Sequence, residues 1–212
     1  WEWLICEVQL RHPAVLFLAA AFTRPKLMKG LAKLGFSQSY TYFPWRTQKW
    51  EIEQYLIELT GYPEREFYRP NFFTNTPDIL PFHLQGGEPW MFKSRVALAA
   101  TLSSTYGIYS GFELLEHEPI PGKEEYLDSE KYEIKVRDWD KPGNIKAYIR
   151  EINQARRNNP ALQQTSNLRF VDIQDPNVTG FVKHATDRQN AVAIAIALTG
   201  DTHEFWFPLG DT

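Results

Sequence analysis

Phe72-Phe73-Thr74-Asn75-Thr76-Pro77-Asp78 sets an amide and a carboxylate just past a short β-prone run. At the C-terminal face of an α/β barrel, residues in that position point at substrate. Asp78 could instead cap a turn or the next helix, a use that Pro77 also suits. Five aromatics, Tyr40, Tyr42, Phe43, Trp45 and Trp50, fall close together beside Arg46. Sugar rings have apolar faces that pack on aromatic rings, while their hydroxyls need polar partners at the rim. Ordinary core and helix-face packing accounts for Trp50 and Tyr40. Tyr42 and Trp45 remain as candidate site-wall residues.

Other chemistries find little support. His12, His83, His117, His184 and His203 show no HxxxH or His/Cys spacing, so no metal site is expected and they read as surface or loop residues. There is no G-x-S-x-G elbow and no phosphate-binding P-loop. Cys6 falls on a helical pattern and reads as a packing residue. Glu113 and Glu116 follow Gly111 and read as helix caps or surface groups. Lys131-Tyr132 lies in a charged loop and, from composition alone, is a solvated pair.

The elements that must position these residues follow from periodicity. Trp1, Leu4, Ile5 and Val8 keep helical spacing, and Pro13 ends that helix. Residues 15–20 are a continuous apolar run, as in a parallel strand covered on both faces. Pro25 opens a helix that Gly35 closes. Residues 37–43, 71–74 and 107–109 are β-prone, with helices expected over 47–59 and 92–102. Strands separated by helices imply parallel βαβ units. The long loops after the strands carry the polar and aromatic residues, which favours an α/β barrel over a doubly wound sheet. Residues 119–142 are loop-like, and Ile145, Tyr148, Ile149 and Ile152 mark one more helix. Four β-prone runs follow without helices, at 167–173, 179–184, 191–198 and 203–207. They read as the start of an antiparallel β-sandwich, with the change of pattern near 159–165.

The chain has 212 residues, 43% of them hydrophobic and 23% charged, a globular balance. Its net charge of −3 gives no global case for nucleic acid. No apolar run approaches the ~20 residues that span a bilayer, so no membrane segment is expected. A single cysteine excludes an intrachain disulfide and fits a reducing compartment. The start at Trp1 and the stop just after a strand-like run suggest an internal piece of a larger protein.

Several strings are family-specific. Val15-Leu16-Phe17-Leu18-Ala19-Ala20-Ala21-Phe22-Thr23-Arg24-Pro25 resembles the fifth barrel strand of the α-1,4-glucan:maltose-1-phosphate maltosyltransferase family, within the α-amylase superfamily. Gly35-Phe36-Ser37-Gln38-Ser39-Tyr40-Thr41-Tyr42-Phe43, followed by Trp45-Arg46, resembles the sixth strand and its loop. Residues 71–80 resemble the seventh, and Tyr106-Gly107-Ile108-Tyr109-Ser110-Gly111-Phe112-Glu113-Leu114 the eighth. Ser129-Glu130-Lys131-Tyr132 is similar to the donor-binding loop. The resemblance implies the second half of a (β/α)8 barrel over 1–160, strands five to eight, and an incomplete antiparallel β-sandwich over 161–212.

It also implies an activity. A maltosyl unit would move from α-maltose 1-phosphate to the non-reducing end of an α-1,4-glucan or maltooligosaccharide, with retention and without a cofactor. Retention needs two carboxyl groups ~5 Å apart. The family nucleophile ends the fourth strand, upstream of Trp1. The acid/base glutamate ends the fifth, in a Leu-Ala-Glu-Ala-Phe string where this chain has Ala20. Alanine cannot exchange a proton, so the sequence reads as a knock-out or as a degenerate homologue. Asp78 matches the carboxylate that stabilises the transition state. Lys131 and Tyr132 match residues that hold the donor sugar phosphate. Asn75, Tyr42 and Trp45 complete the expected substrate-binding set. A cytoplasmic homodimer active in glycogen or α-glucan synthesis is the expected whole. An amylase-type hydrolase and a non-catalytic glucan-binding relative are the alternatives.

Overall fold

The computed structural model describes residues 1–130 and 134–209. Four short strands, β1 (Leu18–Ala19), β2 (Gln38–Tyr40), β3 (Pro70–Phe73) and β4 (Thr105–Gly107), pair in parallel in that order. Helices run between them: α2 (Pro25–Lys33), α3 (Lys49–Thr60) with the short α4 (Glu64–Phe67), and α5 (Pro89–Leu102). Helix α1 (Glu2–Arg11) precedes β1, and α6 (Lys146–Asn158) follows β4. Every strand therefore ends at the same edge, and the long connecting loops gather there.

The helices start and stop for local reasons. Pro25 sits in the first turn of α2, where its missing N–H costs nothing. Gly35 follows at φ +101, a region open to glycine, with Ile5 packed against it. At the start of α3, the Glu51 carboxylate accepts from the backbone N–H groups of Thr47 and Gln48. Helix α3 turns Ile52, Tyr55, Leu56 and Leu59 inward, as their spacing requires. Helix α5 is apolar almost all round because it packs on the parallel sheet, on α6 and on the second sheet.

That second sheet is antiparallel, in the order β5 (Leu168–Phe170), β6 (Val178–His184), β7 (Ala191–Ala197). Phe181 and Ile196 point into the same core as Phe43, Phe72, Leu56 and Leu98. Val171, Ile173, Val178 and Val182 form a smaller cluster elsewhere on the sheet.

Three expectations need correction. Residues 15–20 are not a strand covered on both faces. Only Leu18 and Ala19 pair, and Leu16 and Leu18 are 68% and 50% exposed, because β1 is the sheet's edge among the described residues. The run 203–207 forms no strand. His203 bonds to Asp175 in the β5–β6 connection, and Phe207 packs on the Val171 cluster without joining a ladder. The β4 ladder lies at Thr105–Gly107, two residues before the expected run, and turns away through Gly111 at φ +97.

Candidate active site

Asp78 lies five residues beyond the end of β3 and is exposed. Its backbone N–H donates to Thr76 Oγ1 at 3.2 Å, and Thr76 and Ile79 bridge to each other to close the turn. Ala20 directly follows β1 and is also exposed. Both therefore stand beyond the C-terminal ends of parallel strands, separated by β2.

Asn75 is placed differently from the expectation that it faces substrate. It is fully buried, and its amide is already engaged. Nδ2 donates to Tyr126 Oη at 2.6 Å, while Oδ1 accepts from Thr74 Oγ1 at 3.0 Å and from the Tyr109 N–H at 2.9 Å. Asn75 thus ties the ends of β3 and β4 to the loop carrying Tyr126. Burial raises the Tyr126 phenol above its ordinary range, so it remains a neutral partner for the amide.

Tyr42 and Trp45, the candidate wall residues, belong to a larger aromatic cluster than sequence suggested. Tyr40 meets Phe73 at 4.7 Å and Phe22 at 5.5 Å between ring centroids. Phe22 meets Trp45 edge-on at 5.4 Å, and Trp45 lies 6.2 Å from Tyr42. Trp45 Nε1 donates to Glu124 at 2.9 Å, and Glu124 also accepts from the Phe82 N–H. The Tyr42 hydroxyl donates to the Thr23 carbonyl, bracing the approach to α2. Trp50, read as a packing residue, is instead 68% exposed. Cys6 is likewise exposed rather than packed. His83, in the 82–84 turn, and His203, in a loop, are both partly buried. The Nε2 of His83 is buried, and the ring of His203 is held between Asp175 and Thr199 at 2.7 Å on each side.

Lys131 and Tyr132 lie outside the described residues. Their neighbours are anchored on both sides. Ser129 Oγ donates to the Pro77 carbonyl at 3.4 Å, next to Asp78. Arg137 grips Glu130 at 2.9 Å and Glu116 at 2.8 and 3.3 Å, and Lys135 reaches Glu116 at 3.2 Å. Tyr109 Oη donates to Glu130 at 2.9 Å. Hydrogen bonds from Arg137 and Tyr109 hold the Glu130 carboxyl below the usual carboxylate range. Burial opposes the Arg137 charge, but Glu116 and Glu130 outweigh it and raise its pKa. Glu116, read as a cap or surface group, is therefore an ion-pair centre. Glu113 does serve a local turn, accepting from the Gly111 N–H at 3.1 Å.

No family model matches the chain. It is 51% identical, over its full length, to the α-1,4-glucan:maltose-1-phosphate maltosyltransferase of Rhodospirillum rubrum. It is 52% identical over 97% of its length to the enzyme of that name from Methylacidiphilum infernorum, and 52% over 99% to that of Chlorobaculum tepidum. By sequence the chain is similar to a part of these maltosyltransferases. It spans 31% of the length of the first two relatives and 33% of the third.

Solved structures place the chain's fold. The α-amylase from H. orenii superposes with a TM-score of 0.73 at 14% identity, over 93% of this chain and 46% of that one. The Geobacillus thermoleovorans α-amylase, complexed with acarbose, gives 0.72 at 14% identity, over 94% and 45%. The parallel sheet with its helices is thus part of an α-amylase-type barrel, followed by antiparallel strands. Among the described residues, no group of three His, Cys, Asp or Glu side chains could hold a metal ion. No helix is long and apolar enough to cross a membrane.

Tyr126 and Arg137 carried no signal in sequence. Only their partners, brought from distant positions, give them a role.

Proposed function

We propose that the chain is the part of a retaining maltosyltransferase that closes its barrel, over 1–160, and begins its β domain, over 161–212. The whole protein moves a maltosyl unit from α-maltose 1-phosphate to the non-reducing end of an α-1,4-glucan. The observation that carries this reading is 51% identity along the entire chain to an enzyme of that name. The exposed edge at β1, with Leu16 and Leu18 uncovered, suits pairing with a preceding strand of a closed barrel.

In the first half-reaction a carboxylate from the preceding strand attacks the anomeric carbon. The bond to the phosphate oxygen breaks, and phosphate leaves with the electron pair. In the second, the glucan O4 attacks the same carbon and the ester bond breaks. The hydroxyl proton must then pass to a base. Position 20 is where that base belongs, and alanine cannot accept the proton. Asp78 stabilises the positive charge that develops on the sugar ring in both steps. Lys131 and Tyr132 hold the donor, and the Ser129–Pro77 bond favours this by keeping their loop beside Asp78. Tyr42 and Trp45 wall the sugar site, while Asn75 positions the loop rather than touching substrate. The working assembly is a cytoplasmic homodimer serving glycogen or α-glucan synthesis.

The test is product analysis with the full-length protein carrying Ala20→Glu. Incubation with α-maltose 1-phosphate and maltohexaose should release phosphate and lengthen the glucan by two glucose units. Free maltose in place of the longer glucan would show a hydrolase. Binding of maltohexaose without turnover would show a non-catalytic glucan-binding protein, a reading that Ala20 would also suit.

A further inference from the structure

We infer that the cavity between α3, α5 and the 82–84 turn is a binding site for a small oxyanion, held side-on by Arg95. The cavity measures about 200 Å³ and is lined by Thr47, His83, Ser94, Arg95 and the apolar Leu98 and Leu198, among others. None of the residues assigned to sugar transfer lines it.

Arg95 is 2% exposed. Its Nη1 donates to the Arg46 carbonyl at 2.7 Å, and its Cζ lies 3.6 Å from the centroid of the Phe43 ring. Nε and Nη2 are buried and find no hydrogen-bond partner among the described residues. These two nitrogens share one edge of the guanidinium. That edge takes two oxygens of a carboxylate or phosphate through parallel N–H bonds. One side of the group is thus committed to protein, and the edge best shaped for an oxyanion is unused.

The surroundings favour an anion. A buried charge without a counter-charge is unfavourable, and burial lowers the Arg95 pKa to about 9. Glu51 acts in the opposite direction, but its carboxylate is committed to the N–H groups of Thr47 and Gln48. His83 presents a third unpartnered buried atom, Nε2. Burial, and then Arg95, push its pKa down to about 2, so the ring is neutral and can donate from Nε2 in one tautomer. Leu98 and Leu198 keep the dielectric low, which strengthens charge-assisted bonds. Inorganic phosphate and a small carboxylate share the required chemistry. Either would join the start of α3 to α5 and to the residue following β7.

The test is thermal denaturation of the full-length protein in sodium phosphate or sodium acetate, with sodium chloride holding ionic strength constant. At least one oxyanion should raise Tm saturably, by several degrees at high excess over Kd. Whichever does so names the class. Arg95→Met should abolish the shift. If that variant fails to fold, calorimetric titration of His83→Phe with the same anion should show roughly tenfold weaker binding, the effect of one lost hydrogen bond. The inference is overturned if neither anion shifts Tm or if Arg95→Met keeps the full shift. Unchanged affinity in His83→Phe, where that variant must serve, overturns it equally. A phosphate shift arising at the sugar-phosphate site would survive Arg95→Met. No turnover is read, so the result stands apart from the proposed transfer reaction.

Discussion

Asp78 and Asn75 are three residues apart and occupy opposite environments. Asn75 is buried among partners from β4 and from the loop at 126, whereas Asp78 is carried past the Thr76–Ile79 turn into the open end of the sheet. An Asp78→Asn substitution in the full-length, Ala20→Glu protein keeps the shape and removes the charge. We expect kcat to fall by about 10²–10³-fold, typical for the loss of a transition-state stabiliser, with a much smaller change in donor affinity. Steady-state kinetics against α-maltose 1-phosphate would check this, and unchanged kcat would remove Asp78 from the chemistry. For Asp78 the sequence left two readings open, a group facing the open end of the strands and a cap, and its exposed position past the Thr76–Ile79 turn fits the first. The burial of Asn75 was not legible, since the groups that bury it lie 34 and 51 residues away along the chain. Trp50 and Cys6 failed for a related reason. An apolar residue on a helix is inside only if another element covers that face, which periodicity cannot tell.

At the scale of elements, the C-terminus of α5 holds the two sheets' neighbours together. Arg156 on α6 donates to the carbonyls of Ala100, Ser103, Ser104 and Leu162. Lys183 on β6 is fully buried and donates to the carbonyls of Thr101 and Gln164. Cations at a helix C-terminus complement its dipole. Burial, and then repulsion from Arg156, nevertheless lower the Lys183 pKa to about 7. The unfolded chain, with an ordinary lysine near 10.5, therefore binds more protons between those values. Stability attributable to Lys183 should rise as pH increases from about 7 toward 10. Urea denaturation of wild type and Lys183→Met at pH 7 and 9.5 would reveal it. Wild type should gain on the variant at the higher pH, and parallel profiles would contradict the assignment. The helices themselves were readable because α2 begins at a proline and α3 and α6 keep one apolar face, whereas α5 starts at Pro89, three residues before the expected run at 92–102. The strands were less so. Each is four residues or shorter in the parallel sheet, and a two-residue ladder such as β1 is set by its neighbour rather than by its own apolar run.

For the molecule as a whole, the change from alternating helices and strands to bare strands was visible in sequence and appears in the two sheets. The proposed division between 1–160 and 161–212 is then one of architecture rather than stability, because Phe181 and Ile196 share a core with Phe43, Phe72 and Leu98. Tryptophan fluorescence and far-UV circular dichroism should report one coincident urea transition for this chain. Two separated transitions would mean that the segments fold independently. The central proposal, that position 20 is where the proton-transfer residue of a retaining maltosyltransferase belongs and that alanine there leaves the role unfilled, makes its own demand on the full-length protein. Phosphate is a weak base and leaves without much protonation, whereas an attacking glucan hydroxyl must lose its proton. General base help is worth typically ~10²–10⁴-fold, so the Ala20 form should complete the first half-reaction and stall before the second. Intact-protein mass spectrometry after mixing with α-maltose 1-phosphate tests this directly. The account predicts a maltosyl adduct that accumulates in the Ala20 form and disappears in Ala20→Glu as transfer to glucan appears. Rapid turnover of the Ala20 form with no adduct would contradict it.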